Sequence, residues 1–295
     1  MIADSFVLFF PIFVLIAGGI ALGRFFDISE ESLIRVLTDF FFPALVFHAL
    51  ATTDMQLGEL GRLAGASVLV SLLLLLVSAV YAYLAKLDYR GFVPPMIFPN
   101  SGILGIPLMK LWGGLAAMNA VVVFDQVQTL MIFTLGLLIV TGGLSIWGLR
   151  EMVKSPLLWA IVAGFAANFS GLRLPGMVAD TLSFIGAAAP PLAVFTLGCS
   201  LSRRRTVLSF HLLAGLAIRV VAGFLAGLAS ATLFGLEGIT RTVAIVASSL
   251  PAAVFSFVLP ARYGVDSELP GSLVLVSTIL GLVTVPLAFW CVSLF

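Results

Sequence analysis

From Leu63 to Ala85 the chain runs for 23 residues without a charged side chain. As a helix that stretch would rise about 35 Å, enough to cross the ~30 Å hydrocarbon core of a bilayer. A ruler of roughly 20 apolar residues fits ten times along the 295 residues, at 5–25, 32–51, 63–85, 89–112, 115–142, 155–171, 178–200, 207–234, 238–263 and 269–294. The connections are short and hold most of the charge. Charged residues make up 10% of the chain, against about 25% in a soluble domain. So few cannot cover a water-facing surface, so lipid is the expected solvent. The expectation is an all-α integral membrane protein of ten transmembrane helices.

The N-terminal run carries Asp4 and no Lys or Arg ahead of its apolar stretch. It reads as a retained first helix, not as a signal peptide. Lys and Arg set the orientation. Connections after odd spans hold ten, among them Lys86, Arg90, Arg150 and the run 203–205, against four after even spans, Arg62, Lys110, Arg173 and Arg241. Odd connections are therefore expected in the cytoplasm, with both termini outside the cytoplasmic (inner) membrane. A net charge of +1 offers no surface to nucleic acid. Cys199 and Cys291 both lie in apolar runs and read as small buried residues.

The two halves resemble each other weakly. A shift of 148 lays "PALVFHAL" at Pro43 over "PLAVFTLG" at Pro191, and Asn100-Ser101 over Ser248-Ser249. One further residue lays "QTLM" at 128–131 over "STIL" at 277–280. Residues 1–147 and 148–295 then form two five-helix repeats. An odd number of spans makes the second insert upside down, the plan of many secondary transporters.

Spans four and nine are interrupted. "FPNSGILGIP" and "VASSLPAAVFS" place Pro99 and Pro251 near mid-membrane at matching positions. Proline removes a backbone donor, and paired breaks are the best sequence pointer to a transporter site. Asn100, Ser101, Ser248 and Ser249 suit the N-caps of second half-helices, whose free amides attract an anion such as a carboxylate. The competing reading is a plain kink whose backbone groups neighbouring helices satisfy.

The stretches "PNSGILGIPL", "SSLPAAVFSFVLPARYGVDSELPGSLVLVSTILGLVTVPL" and "FFFPALVF" resemble the auxin efflux carrier family. It includes the PIN-type auxin carriers of plants and bacterial permeases assigned to malonate and other organic acids. The resemblance covers nearly the whole chain. It implies a scaffold domain from helices 1, 2, 6 and 7 and a transport domain from helices 3–5 and 8–10. Crossing helices 4 and 9 form its substrate site, and a homodimer assembles through the scaffold.

Ionisable groups inside a span are usually functional. Asp125 and Gln128, in "VVVFDQVQTLMIF", share a face by spacing; they line the site or hold helix five to helix four. Arg219, twelve residues into span eight, pairs with Asp125 or binds a substrate carboxylate. Gly102 and Pro251 complete the candidate binding set of Asn100, Ser101, Asp125, Gln128, Ser248, Ser249 and Arg219. Asp39 either faces the site or bonds at the domain interface.

These features favour alternating-access transport of a small organic anion. No cofactor is expected, H⁺ or Na⁺ being possible coupling ions. No G-x-x-x-x-G-K-[ST] or H-E-x-x-H motif occurs, so neither an ATP-driven pump nor a zinc enzyme is indicated. An intramembrane enzyme, a channel and a cation-coupled symporter of a bile-acid-like substrate remain as alternatives.

Overall fold

The structure is a computed structural model that describes residues 2–52, 57–141, 153–154, 156–171, 174–202, 208–266 and 268–294. Arg150, Arg173 and the basic run 203–205, which entered the orientation count, lie outside these residues.

Helix occupies each of the ten expected segments among the described residues. The first is α1, Ile2–Phe25. The second, α2 (30–51), contains a π turn at Leu37–Phe41. The third is α3, Leu57–Ala85. The fourth is two pieces, α4 (Tyr89–Ile97) and α5 (101–112). A sharp bend at Gly113 and Gly114 separates α5 from α6 (115–141), and Gly114 takes φ +64° there, a conformation glycine adopts without strain. Then come α7 (Pro156–Phe169), α8 (Gly176–Ser202) and α9 (Phe210–Leu233). The ninth segment is again two pieces, α10 (Gly238–Ser248) and α11 (Phe255–Arg262), and the last is α12, Glu268–Val292.

Among the described residues six helical stretches are long and apolar enough to cross a membrane by length and composition alone, with α5 and α6 counted as one stretch, Ser101–Thr141. Three of the four segments missing from that count have a physical cause. Segments four and nine are split by prolines, and α7 has only 14 residues. The outer surface is apolar: Phe25 is 82% exposed and Phe184 83%. Such a surface suits lipid, not water.

Two packing groups are visible. α1 lies along α8, and α2 packs on both α7 and α8. Small residues do this work. A Cβ on Gly19 would collide with the Phe195 carbonyl, and one on Gly198 with that of Ile16, while Ala189 is fully buried. Backbones thus meet directly, as small residues allow in membranes. In the other group α3 packs on α4 and α9, α9 on α10, and α10 on α5, α6 and α12.

Candidate functional site

The site begins with two prolines. Proline disfavours α conformation in the residue before it. Accordingly α4 ends at Ile97, and Phe98, before Pro99, is extended at φ −96°, ψ 110°. Likewise α10 ends at Ser248, two residues before Leu250-Pro251. The two extended stretches then pair. Pro99 and Ala252 form an isolated antiparallel bridge. Asn100 N–H donates to the Pro251 carbonyl at 2.7 Å, and Ala253 N–H to the Phe98 carbonyl at 2.9 Å. A third bond, from Ala252 N–H to Ser277 Oγ at 3.1 Å, ties the crossing to α12. Backbone groups freed by each break are thus satisfied by the other, as the apolar interior requires.

Four half-helix ends converge here. Those of α4 and α10 are C-terminal and partially negative. Arg219 meets both. It sits in a π turn of α9, Ile218–Ala222, fully buried. Nη1 donates to the Met96 carbonyl at 2.5 Å and Nη2 to the Ser248 carbonyl. Gly223 makes this possible, because a Cβ there would press on both the Ser248 carbonyl and the guanidinium. Arg219 Nε is buried without a partner. Its cation pairs with two converging dipole ends and not with Asp125.

The third end is the N-terminus of α5. Its first turn, Ser101–Gly105, is π-helical, with the Asn100 carbonyl accepting from Gly105 N–H at 3.0 Å. Asp125 of α6 lies against it: Ser101 Oγ donates to Asp125 Oδ1 at 2.7 Å, and a Cβ on Gly102 would sit 3.1 Å from the same carboxylate. The fourth end is the N-terminus of α11 at Phe255, where Ser256 Oγ bonds back to the Ala253 carbonyl.

Two sequence expectations are corrected. Ser248 and Ser249 do not cap a second half-helix. Ser248 closes α10 and Ser249 is its C-cap, each hydroxyl bonding back to its own helix, Ser248 to Ala244 at 2.6 Å and Ser249 to Val246 at 2.9 Å. Asn100 does hold the N-cap position of the α5 turn, but its side chain makes no capping bond; Nδ2 is buried without a partner. Gln128 is also placed elsewhere. It is 1% exposed, and its carboxamide faces α3, where Nε2 donates to Ser67 Oγ at 2.9 Å and Oε1 accepts from Ser71 Oγ at 3.0 Å. Asp39 faces Arg35 one turn away at 3.6 Å on the exposed side of α2. Cys199 and Cys291 are free thiols.

Sequence reasoning passed over Ser67, Ser71, Ser277 and Gln126. Ser277 had a signal, since the repeat shift set it over Gln128. Gln126 is buried, and neither atom of its amide is partnered. Beside the crossing, α1, α5 and α12 line a partly open pocket of about 20 Å³, with Phe13, Leu104 and Gly281 in its walls. That volume holds about one water and no organic solute.

The sequence profile of a family described as membrane transport protein matches residues 5–146 and 143–289. The chain belongs to the auxin efflux carrier family of membrane transport proteins. Membership makes it a multi-pass membrane transporter and not an enzyme. It is 28% identical to an uncharacterised transporter of Methanothermobacter thermautotrophicus over 92% of both chains. An uncharacterised transporter of Methanocaldococcus jannaschii is 29% identical over 48% of this chain and 47% of its own. A probable auxin efflux carrier component of Oryza sativa subsp. japonica is 28% identical over 45% of this chain and 38% of its own.

Proposed function

We propose that this transporter moves a small organic anion, a carboxylate, across the cytoplasmic membrane by alternating access. The observation that carries this reading is the charge pattern of the crossing. Arg219 meets two half-helix ends and Asp125 a third, and the N-terminus of α11 brings a further electropositive end to the crossing. Asn100 Nδ2, buried and unpartnered beside the bridge, supplies a second donor. A carboxylate placed between them would satisfy both. Malonate and the auxin of the plant relatives share that chemistry.

The packing supports a division of labour. α1, α2, α7 and α8 act as the scaffold, and the remaining helices carry the crossing as a transport domain. The antiparallel meeting of Phe98–Asn100 with Pro251–Ala253 fits an inverted relation between residues 1–147 and 148–295. The pocket of about 20 Å³ between α1 and the crossing is too small for an organic anion, and in this reading α1 and the transport domain part to admit one. Asp125 is the acid placed against the broken helix, and we assign it the coupling proton. Scaffold pairing gives the homodimer, and both termini lie outside the cell.

Purified protein in proteoliposomes tests this reading. Labelled mono- and dicarboxylates should accumulate under an imposed proton gradient, and Asn100→Ala should abolish the flux while the protein remains in the membrane. Flux unchanged in that variant, or single-channel currents in place of saturable exchange, would remove the crossing from the transport path.

A further inference from the structure

A second cavity lies away from the crossing, where α3 turns into α4. Its volume is about 490 Å³, within the range of small-ligand sites, about 300–1,000 Å³. Leu75, Ala79 and Ala82 of α3 form one wall, at a spacing that keeps them on one helix face; Val93 of α4 and Ile139 of α6 form the others. The walls are apolar. The exception stands at the end of α3, where Lys86 joins the lining between Tyr83 and Tyr89.

Lys86 is held there against its backbone preference. Leu87 N–H bonds to the Ala82 carbonyl at 2.9 Å and Lys86 N–H to the Tyr83 carbonyl at 3.3 Å, a Schellman ending that normally puts glycine at the left-handed position. Here that position is Lys86 at φ 54°, the one non-glycine residue at positive φ among the described residues. A glycine would close the turn with less strain. The side chain is exposed and makes no ion pair among the described residues. The nearby acid, Asp88, is already engaged by Arg90 at 3.1 Å. Asp266 and Glu268 belong to the opposite side of α4, since Gly91, about 200° around the helix from Tyr89 and Val93, is the residue that faces the Asp266 carbonyl.

Dimensions identify the occupant. From Leu75 to Lys86 the cavity follows α3 for about 16 Å, half of the ~30 Å hydrocarbon core. It therefore spans one leaflet, from mid-membrane to the interface. Tyr83 in its lining is 84% exposed, so the groove reaches the apolar outer surface and its contents come from the bilayer. Tyrosines sit at the headgroup level of membranes, and a lysine there attracts anionic lipid. We propose that the groove between α3, α4 and α6 binds one anionic phospholipid, with an acyl chain along Leu75–Ala82 and the phosphate on Lys86. This site is independent of the transported solute.

The test compares thermal unfolding of the full chain in neutral detergent with phosphatidylglycerol, with phosphatidylcholine, and with inorganic phosphate. Phosphatidylglycerol should raise the midpoint of the wild type several degrees more than phosphatidylcholine does, and phosphate alone should do nothing. Lys86→Gly should unfold at the wild-type temperature or above without lipid, because the turn is relieved, yet lose the preference for phosphatidylglycerol. Ala79→Phe, which fills the groove, should lose the response to both lipids. Equal shifts from the two lipids in the wild type, a preference that survives in Lys86→Gly, or an equal Lys86-dependent shift from free phosphate would each overturn the proposal. If Ala79→Phe fails to fold, the Lys86→Gly comparison decides alone.

Discussion

The amide of Asn100 donates to the carbonyl of Pro251 at 2.7 Å, joining the two halves of the chain at their broken helices. One residue of each pair is there because a proline stopped a helix. Neither break could stand alone in lipid, since each would leave backbone groups unsatisfied. The crossing is thus a reciprocal repair, and Arg219 completes it from a third helix.

Arg219→Ala should be strongly destabilising. It leaves the Met96 and Ser248 carbonyls buried without donors, at about 1–3 kcal/mol for each, and opens a cavity besides. Arg219→Lys keeps the charge, but a single ammonium lacks the forked geometry that reaches both carbonyls, so an intermediate loss is expected. Detergent unfolding curves with a ligand-free sample check this; wild-type stability in Arg219→Ala would mean the two helix ends do not depend on it.

Gly223→Ala should mimic part of that loss. The added methyl presses on the Ser248 carbonyl and lies 3.0 Å from Arg219 Nη2. Gly18→Ala is the control, because nothing lies within 4 Å of a Cβ there. Only Gly223→Ala should lower the yield of folded protein and its melting temperature.

Much of this architecture is legible in the sequence, for a simple reason. Apolar length marks the spans, and Pro99 and Pro251 mark the breaks, because both signals are carried by side-chain identity. The partners of Arg219 are not legible, since they are backbone carbonyls that any residue could supply. Asp125 and Gln128 illustrate a finer limit. Three residues on a helix differ by about 60°, enough to send Asp125 toward Ser101 and Gln128 toward Ser67 and Ser71 on another helix. Ser248 and Ser249 were expected to cap the second half-helix because serine suits an N-cap; Leu250-Pro251 ends α10 at Ser248 instead, which leaves both serines at its C-terminus.

Gln128→Leu should affect stability and not affinity. It removes all three bonds to α3, those to Ser67 Oγ, the Ser67 carbonyl and Ser71 Oγ, for a loss of about 1–3 kcal/mol. Coupling to Ser71→Ala in a double-mutant cycle should be measurable. A raised KM for the transported acid with unchanged stability would instead place Gln128 in the solute path.

Asp88→Ala should weaken the start of α4. The carboxylate caps Arg90 N–H at 3.0 Å and grips the guanidinium; that hydrogen bond to Arg90 holds its pKa below the ordinary 3.8. A depressed pKa means the stabilisation is present above 3.8 and fades as pH falls through the lower folded-state value. Loss of the cap is worth about 1 kcal/mol, while the ion pair itself, being half exposed, adds little. The difference between wild type and Asp88→Ala should therefore be steady from pH 5 to 8. It should shrink in strong acid, as a melting series across pH would show.

The most direct measurement is the affinity of the purified protein for the carboxylate it transports, by titration calorimetry, in the wild type and in Asn100→Asp. The substitution nearly preserves shape but puts a negative charge beside the bridge. The account predicts at least a tenfold loss of affinity, about 1.4 kcal/mol, in a protein that still folds. Equal affinity in the two proteins would contradict it, because no anion could then be bound at the crossing.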